Sequence, residues 1–141
     1  AAGNGSRHTK YSWSNGDPSG KKGGNISDKI AKQKYSSWPA FESYTDGYIY
    51  TAPVGQYDAN DFGLFDMSGN VWEWCSDWYD ADYYKNSPSK DPKGPTSAKE
   101  VRVLRGGSWY FIPEYCRVAN RYWVNPYFRV NDVGFRVVRG Y

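Results

Sequence analysis

The chain has 141 residues, a length typical of one domain, and its 18 basic and 15 acidic side chains give a net charge of +3. That balance makes nucleic acid an unlikely partner, and no run of about 18 apolar residues is present that would insert into a membrane. Aromatic residues make up 19% of the chain, and frequent Gly and Pro favour short strands joined by long loops over a helical bundle.

The N-terminal part of the chain is polar and rich in turn residues, and we expect it to be mostly loop. Residues 27–34 are the exception, because they can form two helical turns capped by Ser27 or Asp28. Further along, residues 48–51 (YIYT) have the composition of a strand.

The remaining predicted strands lie in the second half of the chain. Residues 71–74 (VWEW) are predicted to form a strand after the turn at 68–70, and residues 101–104 (VRVL) form a second one. Residues 80–99 contain three prolines and many charges, so they are predicted to be a surface loop. Residues 133–139 (VGFRVVR) are predicted to form the terminal strand.

The segment 110–132 is aromatic and has neither a helical nor a strand period. Such a segment is either core filler or a binding surface. Tyr and Trp give a large contact area with few torsions to freeze, and with Arg they are enriched at binding hot spots. Trp109, Tyr115 and Val118 are the better candidates for the core. The predicted ligand-binding residues are Tyr110, Phe111, Ile112, Glu114, Asn120, Tyr122, Trp123, Val124, Tyr127, Phe128, Val130, Asn131 and Asp132.

Several motifs resemble one known family. Residues 63–74 (GLFDMSGNVWEW) closely resemble a signature of the formylglycine-generating, or sulfatase-modifying factor, family. Residues 105–109 (RGGSW) and 134–136 (GFR) match the same family in order and spacing, as do DGY at 46–48 and TAPV at 51–54. The resemblance covers nearly the whole chain.

The resemblance implies an α+β chain with an irregular C-type-lectin-like (formylglycine-generating-enzyme-like) fold, loop-rich with short antiparallel strands. It also implies a single sulfatase-modifying-factor-like domain over residues 1–141 that lacks the N-terminal part usual in the family. A missing N-terminal half or a larger assembly is therefore expected. The compartment stays open, with an extracellular or cell-surface location favoured.

Family enzymes that oxidise a peptidyl cysteine use two cysteines five residues apart, which bind copper(I) through soft thiolates. Alignment places those positions near Pro113 and Val118, and only Cys116 lies between them. Iron held by histidines is excluded as well, because His8 is the single histidine. Cys116 and the distant Cys75 are either two thiols or one disulfide. The expectation is a chain without the catalytic pair; the alternative is a formylglycine-generating-type oxidoreductase, or a degenerate homologue, acting in a larger assembly.

The resemblance also implies two structural calcium sites. Calcium takes six to eight oxygen ligands from carboxylates, amides and backbone carbonyls. By similarity, the first site would use Asn25, the Ile26 carbonyl, Asp46 and the Tyr48 carbonyl, and the second would use Asp66, the carbonyls of Gly69 and Val71, and Glu73. The alternative at the second site is that Asp66 caps a turn and Glu73 pairs with an arginine.

Members of the family also serve as variable proteins of diversity-generating retroelements. In those, a C-terminal segment between an RGGSW-like start and a GFR end is rewritten at asparagine-type codons to vary a ligand surface. Most of the predicted ligand-binding residues can be reached from such codons, whereas Glu114 and Trp123 cannot. The sequence therefore predicts a non-catalytic module on a calcium-braced scaffold that binds a protein or glycan through residues 110–132. A retroelement-diversified variable protein is one form of such a module.

Overall fold

The computed structural model describes residues 8–139, in which regular structure is sparse. The helix α1 spans Lys29–Lys34, the strands are β1 Trp72–Trp78, β2 Arg102–Arg105, β3 Tyr122–Val124 and β4 Val133–Gly134, and short 3₁₀ turns span Tyr83–Lys85 and Pro113–Cys116. The strands form one sheet in the order β3-β2-β1-β4. A small sheet with few helices confirms the coarse α+β prediction. The expectation of antiparallel pairing was wrong for β4, which runs parallel to β1.

Helix α1 begins directly after Asp28, one of the two cap residues predicted from the sequence. Asp28 has extended backbone angles, and its Oδ1 accepts a hydrogen bond from the Ala31 amide at 3.0 Å, which satisfies one of the otherwise unpaired first-turn N–H groups. Ala31 is fully buried and fixes the inner face of the helix. Of the two predicted caps, Asp28 is the one that is used.

The predicted strand at 48–51 is absent, because side chains take the backbone groups that a partner strand would need. The Tyr48 amide donates to Asp46 Oδ1 at 2.8 Å, which closes a turn. Just beyond, the Ala52 amide donates to Asn70 Oδ1 and the Asn70 amide group donates back to the Ala52 carbonyl. One side-chain amide therefore stands where a neighbouring strand would lie.

The other strand predictions hold in part. The strand predicted at 71–74 extends to Trp78, and the strand predicted at 101–104 is β2 with a shift of one residue. The strand predicted over 133–139 was wrong beyond β4, because Arg136 bonds to Glu73 and to the loop that precedes β1. Strand β3, inside the segment thought to lack a period, was not predicted.

Two backbone hydrogen bonds fix the start of the aromatic segment against the turn at 68–70. The Gly69 amide donates to the Gly106 carbonyl at 2.8 Å, and the Trp109 amide donates to the Asn70 carbonyl at 2.9 Å. The core around them is small: its buried apolar side chains include Tyr11, Ile26, Tyr44, Trp72, Val103, Leu104, Trp109 and Cys116. Trp109 is in the core as predicted. In the part of the chain described, no helix has the length and apolar character needed to span a bilayer.

Candidate functional site

Most of the predicted ligand-binding residues reach the surface. Eight are exposed, namely Tyr110, Glu114, Tyr122, Trp123, Tyr127, Phe128, Val130 and Asn131. Five are half-buried, namely Phe111, Ile112, Asn120, Val124 and Asp132. None of these residues is fully buried, so they form a surface, whereas Pro113 and Cys116 of the same segment are buried.

The prediction that Tyr115 belongs to the core was wrong, since its side chain is exposed. The reason is the 3₁₀ turn, which has three residues per turn and brings positions three apart to the same side. Pro113 and Cys116 are both buried and share the inner side. Tyr115 and Glu114 therefore point to solvent, while Val118 lies half-buried just after the turn.

The surface rings are anchored on the largest buried side chain of the sheet. Trp72 is 1% exposed, and its ring stacks on Tyr122 with centroids 5.1 Å apart. It also meets Phe111 edge-on at 5.5 Å, and Phe111 in turn contacts Tyr115 at 4.9 Å. These pairs have the separations of attractive aromatic contacts, so the exposed rings are held by a rigid base.

Aromatic residues far away in sequence extend the same surface at one end. Trp38 meets Tyr110 edge-on at 4.8 Å, and the exposed Tyr50 meets Trp109 edge-on at 5.2 Å. Tyr35 stacks on Trp38 at 4.2 Å. Sequence reasoning missed these partners, because nothing local indicates that residues 35–50 fold against residue 110.

At the other end, a cation lies among the rings. Trp123 contacts Tyr79 at 5.6 Å, and the Arg121 guanidinium lies 5.1 Å from the Tyr79 ring and 4.9 Å from the Tyr84 ring. Cation–π contacts of this kind hold the arginine head over the rings. We call the continuous surface from Tyr35 to Tyr84 the aromatic face. Its rings are those of Tyr35, Trp38, Tyr50, Tyr79, Tyr84, Tyr110, Phe111, Tyr115, Tyr122 and Trp123.

Directly after β3, two adjacent aromatic side chains project into solvent: Tyr127 is 89% exposed and Phe128 is 63% exposed. A tight turn holds them. The Asn125 side chain accepts from the Tyr127 amide at 3.0 Å, and its carbonyl accepts from the Phe128 amide at 3.0 Å. Pro126 restricts the backbone between Asn125 and Tyr127. We call residues 125–128 the aromatic tip.

Both cysteines are free thiols, which resolves the choice that the sequence left open. Cys116 is buried, and burial raises the pKa of its thiol to about 12. Burial also raises the pKa of the half-buried Cys75. A thiol with so high a pKa stays protonated at neutral pH, whereas a soft metal ion needs the thiolate. Pro113 and Val118, the positions near which the family's cysteine pair aligns, flank Cys116 and carry no metal ligand.

The residues predicted for the first calcium site come together around Asp46. Its carboxylate accepts hydrogen bonds from the Ile26 amide at 2.9 Å, from the Tyr48 amide at 2.8 Å and from the Asn25 side chain at 3.4 Å. Burial raises the pKa of Asp46 to about 7, although these hydrogen bonds lower it, and the charge of the nearby Asp28 adds to the rise. The buried Asn25 Oδ1 has no hydrogen-bond partner. A desolvated carboxylate next to an unsatisfied amide oxygen fits a hard cation.

At the second predicted site an arginine already supplies positive charge. Asp66, Glu73 and Arg136 line one cavity of about 250 Å³, together with the predicted ligands Gly69 and Val71. Arg136 Nη2 lies 2.6 Å from Glu73 Oε1, and Arg136 Nε donates to both Glu73 oxygens at 3.1 Å. Asp66 Oδ1 is buried without a hydrogen-bond partner. This set fits calcium less well than the first, because an ion must displace Arg136 to reach Glu73.

Within residues 8–139, no group of three or more His, Cys, Asp or Glu side chains is arranged to hold a metal ion. Any cation at either predicted site therefore depends on amide and backbone carbonyl oxygens as well as carboxylates. Those are ligands that calcium accepts and that softer metals do not prefer.

Comparison with known proteins gives a family match over the entire chain. The profile of the sulfatase-modifying factor enzyme 1-like domain matches residues 1–141. The formylglycine-generating enzyme of Streptomyces coelicolor is 45% identical over 102 residues, which are 70% of this chain and 32% of that enzyme. The enzyme of the same name from Thermomonospora curvata is 37% identical over 143 residues, covering 96% of this chain and 45% of the relative.

Among solved structures, Treponema denticola variable protein 1 superimposes with a TM-score of 0.67 and 34% sequence identity. The superposition covers 95% of this chain and 41% of that protein. The chain thus spans less than half the length of each of these relatives.

Proposed function

Because this chain belongs to the sulfatase-modifying factor enzyme 1-like family, we propose that it is a non-catalytic ligand-binding module on the C-type-lectin-like scaffold of that family. One observation carries the proposal. Where the family's oxidising enzymes have a cysteine pair, this chain has the buried, protonated Cys116, and the same segment carries exposed rings of the aromatic face.

The aromatic face and the aromatic tip together form the ligand surface, and the ligand is a protein or a glycan. Rings braced by other rings lose little conformational entropy on binding, which is the advantage of Tyr and Trp in antibody paratopes. Exposed Asn131 and Glu114 provide hydrogen-bonding groups among them. The fold likeness to a protein named as variable supports the further proposal that residues 110–132 are diversified in sequence.

The binding proposal is tested with two probes, an array of immobilised glycans and a phage-displayed library of random short peptides. Ligands recovered on the native protein are measured against Phe128→Ala and Tyr110→Ala, with Phe62→Ala as the matched exposed control outside the face. We expect each of the first two variants to weaken binding at least tenfold and Phe62→Ala to leave it unchanged. Equal binding by all three variants contradicts the proposed surface.

We propose calcium as the structural cofactor, held first of all by Asn25 and Asp46 with the Ile26 and Tyr48 carbonyls. An ion there would satisfy the Asn25 side-chain oxygen and keep Asp46 ionised. The set with Asp66, Gly69, Val71 and Glu73 is the second candidate, in competition with Arg136. Calorimetry with calcium and with a chelator is expected to give a lower melting temperature after chelation, and Asp46→Ala should abolish most of the difference. An unchanged melting temperature argues against both sites.

The alternative is a formylglycine-generating-type oxidoreductase or a degenerate homologue that acts in a larger assembly. The identity to two formylglycine-generating enzymes favours it. Incubation with copper and a cysteine-containing sulfatase peptide, followed by mass spectrometry, separates the two proposals. Aldehyde formation that is lost in Cys116→Ser supports the enzyme, and no aldehyde supports the binding module.

The variable-protein proposal has its own test in the neighbouring DNA. A near-copy of the coding region for residues 105–136, next to a reverse transcriptase gene, is the expected arrangement. The absence of such a copy limits the proposal to a binding module of fixed sequence.

A further inference from the structure

A second concave site lies away from the aromatic face. The N-terminal loop and the 58–61 loop enclose a cavity of about 520 Å³, within the range of small-ligand pockets. Its lining combines one indole, that of Trp13, with polar side chains that include Asn15, Lys22, Asp58 and Asp61. None of the 13 residues predicted to bind the ligand lines it. The geometry points to a separate binding site for a neutral sugar, a single hexose or N-acetylhexosamine unit.

The aromatic component of this cavity is fixed in place. The Trp13 ring stacks on the buried Tyr11 with centroids 4.6 Å apart and an angle of 9° between the planes. The indole N–H donates to the Gly16 carbonyl at 3.0 Å. Trp13 is held by these contacts and also lines the cavity, so part of its ring is accessible to a ligand. The C–H face of a sugar ring carries slight positive charge and suits the negative face of an aromatic ring.

The walls of the cavity are also held by backbone contacts, so binding does not require them to be ordered first. The Asn15 side-chain oxygen accepts from the Lys10 amide at 2.7 Å, which closes the N-terminal loop. The Asp58 amide donates to the Lys21 carbonyl at 3.0 Å, which joins the opposite wall to the turn that carries Lys22. The polar groups that line the cavity are therefore already in position before a ligand binds.

The charges select among small polar ligands. The Asp58 carboxylate and the Lys22 ammonium group both line the cavity, so it offers one charged acceptor and one charged donor. The carboxylate disfavours anionic sugars such as sialic acid or sugar phosphates, and the ammonium group disfavours cationic ligands. Hydroxyl groups both donate and accept, so a neutral sugar can donate to Asp58 and accept from Lys22 and from the Asn15 side-chain N–H groups.

A second cavity is a useful comparison. Its volume is about 590 Å³, and it is lined by the loop of residues 80–96, with Asp80, Asp82 and Tyr83 among the lining residues. The Tyr83 hydroxyl accepts a hydrogen bond from the Gly94 amide at 3.0 Å. No Trp is among the residues that line this cavity. Asp82 is highly exposed and paired with Lys85, so it offers a control substitution of the same chemistry away from the proposed sugar site.

The test titrates the protein with glucose, galactose and N-acetylglucosamine, using saturation-transfer NMR and calorimetry. N-acetylneuraminic acid and lysine serve as the anionic and cationic comparison ligands. We expect a neutral sugar to bind and Trp13→Ala to weaken it at least tenfold. Asp58→Ala, at an exposed position that tolerates substitution, is expected to weaken binding severalfold, whereas Asp82→Ala is expected to leave it unchanged.

The inference is overturned if no neutral sugar binds at tens of millimolar, if the Asp58→Ala variant binds as the native protein does, or if one of the charged compounds binds better. Phe128→Ala separates this site from the aromatic face. Sugar binding that survives Phe128→Ala belongs to the cavity, and sugar binding that is lost with it belongs to the proposed ligand surface, which also overturns the inference.

Discussion

Removing the Tyr127 and Phe128 side chains from the aromatic tip should change the stability of the fold only slightly. Full burial of a large apolar side chain contributes roughly 1.5–3 kcal/mol. Tyr127 retains about a tenth of that burial and Phe128 about a third, since they are 89% and 63% exposed. The double variant Tyr127→Ala/Phe128→Ala is therefore expected to lower the free energy of unfolding by about 0.7–1.4 kcal/mol.

Leu104→Ala is the matched core variant, because Leu104 is fully buried in β2. It should lower the free energy of unfolding by about 2–5 kcal/mol through lost burial and the cavity left behind. Urea unfolding followed by far-ultraviolet circular dichroism measures both variants on one scale. A loss of about 3 kcal/mol or more in the double variant would refute the interpretation of the tip as a free surface, because it would mean that these rings are core.

Three further predictions concern the scaffold. Gly107→Ala should cost about 2–4 kcal/mol in urea unfolding, because Gly107 has a φ of +80° and a Cβ there would overlap Cys116 Sγ; a neutral effect would contradict this packing. Cys116 should react with a disulfide reagent far more slowly than Cys75 in the native protein, because it is buried and its raised pKa of about 12 leaves very little thiolate at neutral pH; equal rates would refute the difference in burial. Arg136→Leu should lower the free energy of unfolding by about 1 kcal/mol at low salt and by less in 1 M NaCl, because the ion pair of Arg136 with Glu73 is only partly buried. Calcium should then raise the melting temperature of the variant more than that of the native protein. An identical calcium response in the two proteins would count against competition for Glu73.

What the sequence predicted well depends on local chemistry. Asp28 caps α1 because a short side chain at that position satisfies a nearby N–H group, whatever the rest of the fold does. The strands β1 and β2 follow from their composition and from the turns that precede or follow them. Trp109 lies in the core as predicted, next to a glycine pair that allows close approach.

What the sequence missed depends on contacts between distant segments. The strand predicted at 48–51 fails because Asn70, far along the chain, bonds to Ala52 where a strand would pair. Similarly, Trp38 joins the aromatic face only because the fold brings it against Tyr110. A single sequence carries no signal for either contact.

Tyr115 and Arg136 illustrate two further limits. Tyr115 is an aromatic residue of the kind often found in a core, but in the 3₁₀ turn it is Cys116 that lies on the buried side. The choice between calcium and an arginine at Glu73 could not be made from local residues, because Arg136 lies 63 residues further along the chain. The residues predicted for the first calcium site include Asn25 and Ile26, which the fold brings within hydrogen-bond distance of the Asp46 carboxylate; whether they hold calcium stays a prediction.

The central claim is that a fixed scaffold carries a ligand surface whose residues can be exchanged. The most direct measurement is the fraction of folded proteins in a library randomised at Tyr110, Tyr127, Phe128, Val130 and Asn131, compared with a library randomised at five buried positions. We expect most members of the surface library to unfold cooperatively near the melting temperature of the native protein, and few members of the core library to fold. Equal loss of folding in both libraries would contradict the account, because the exposed residues would then be part of what holds the fold together.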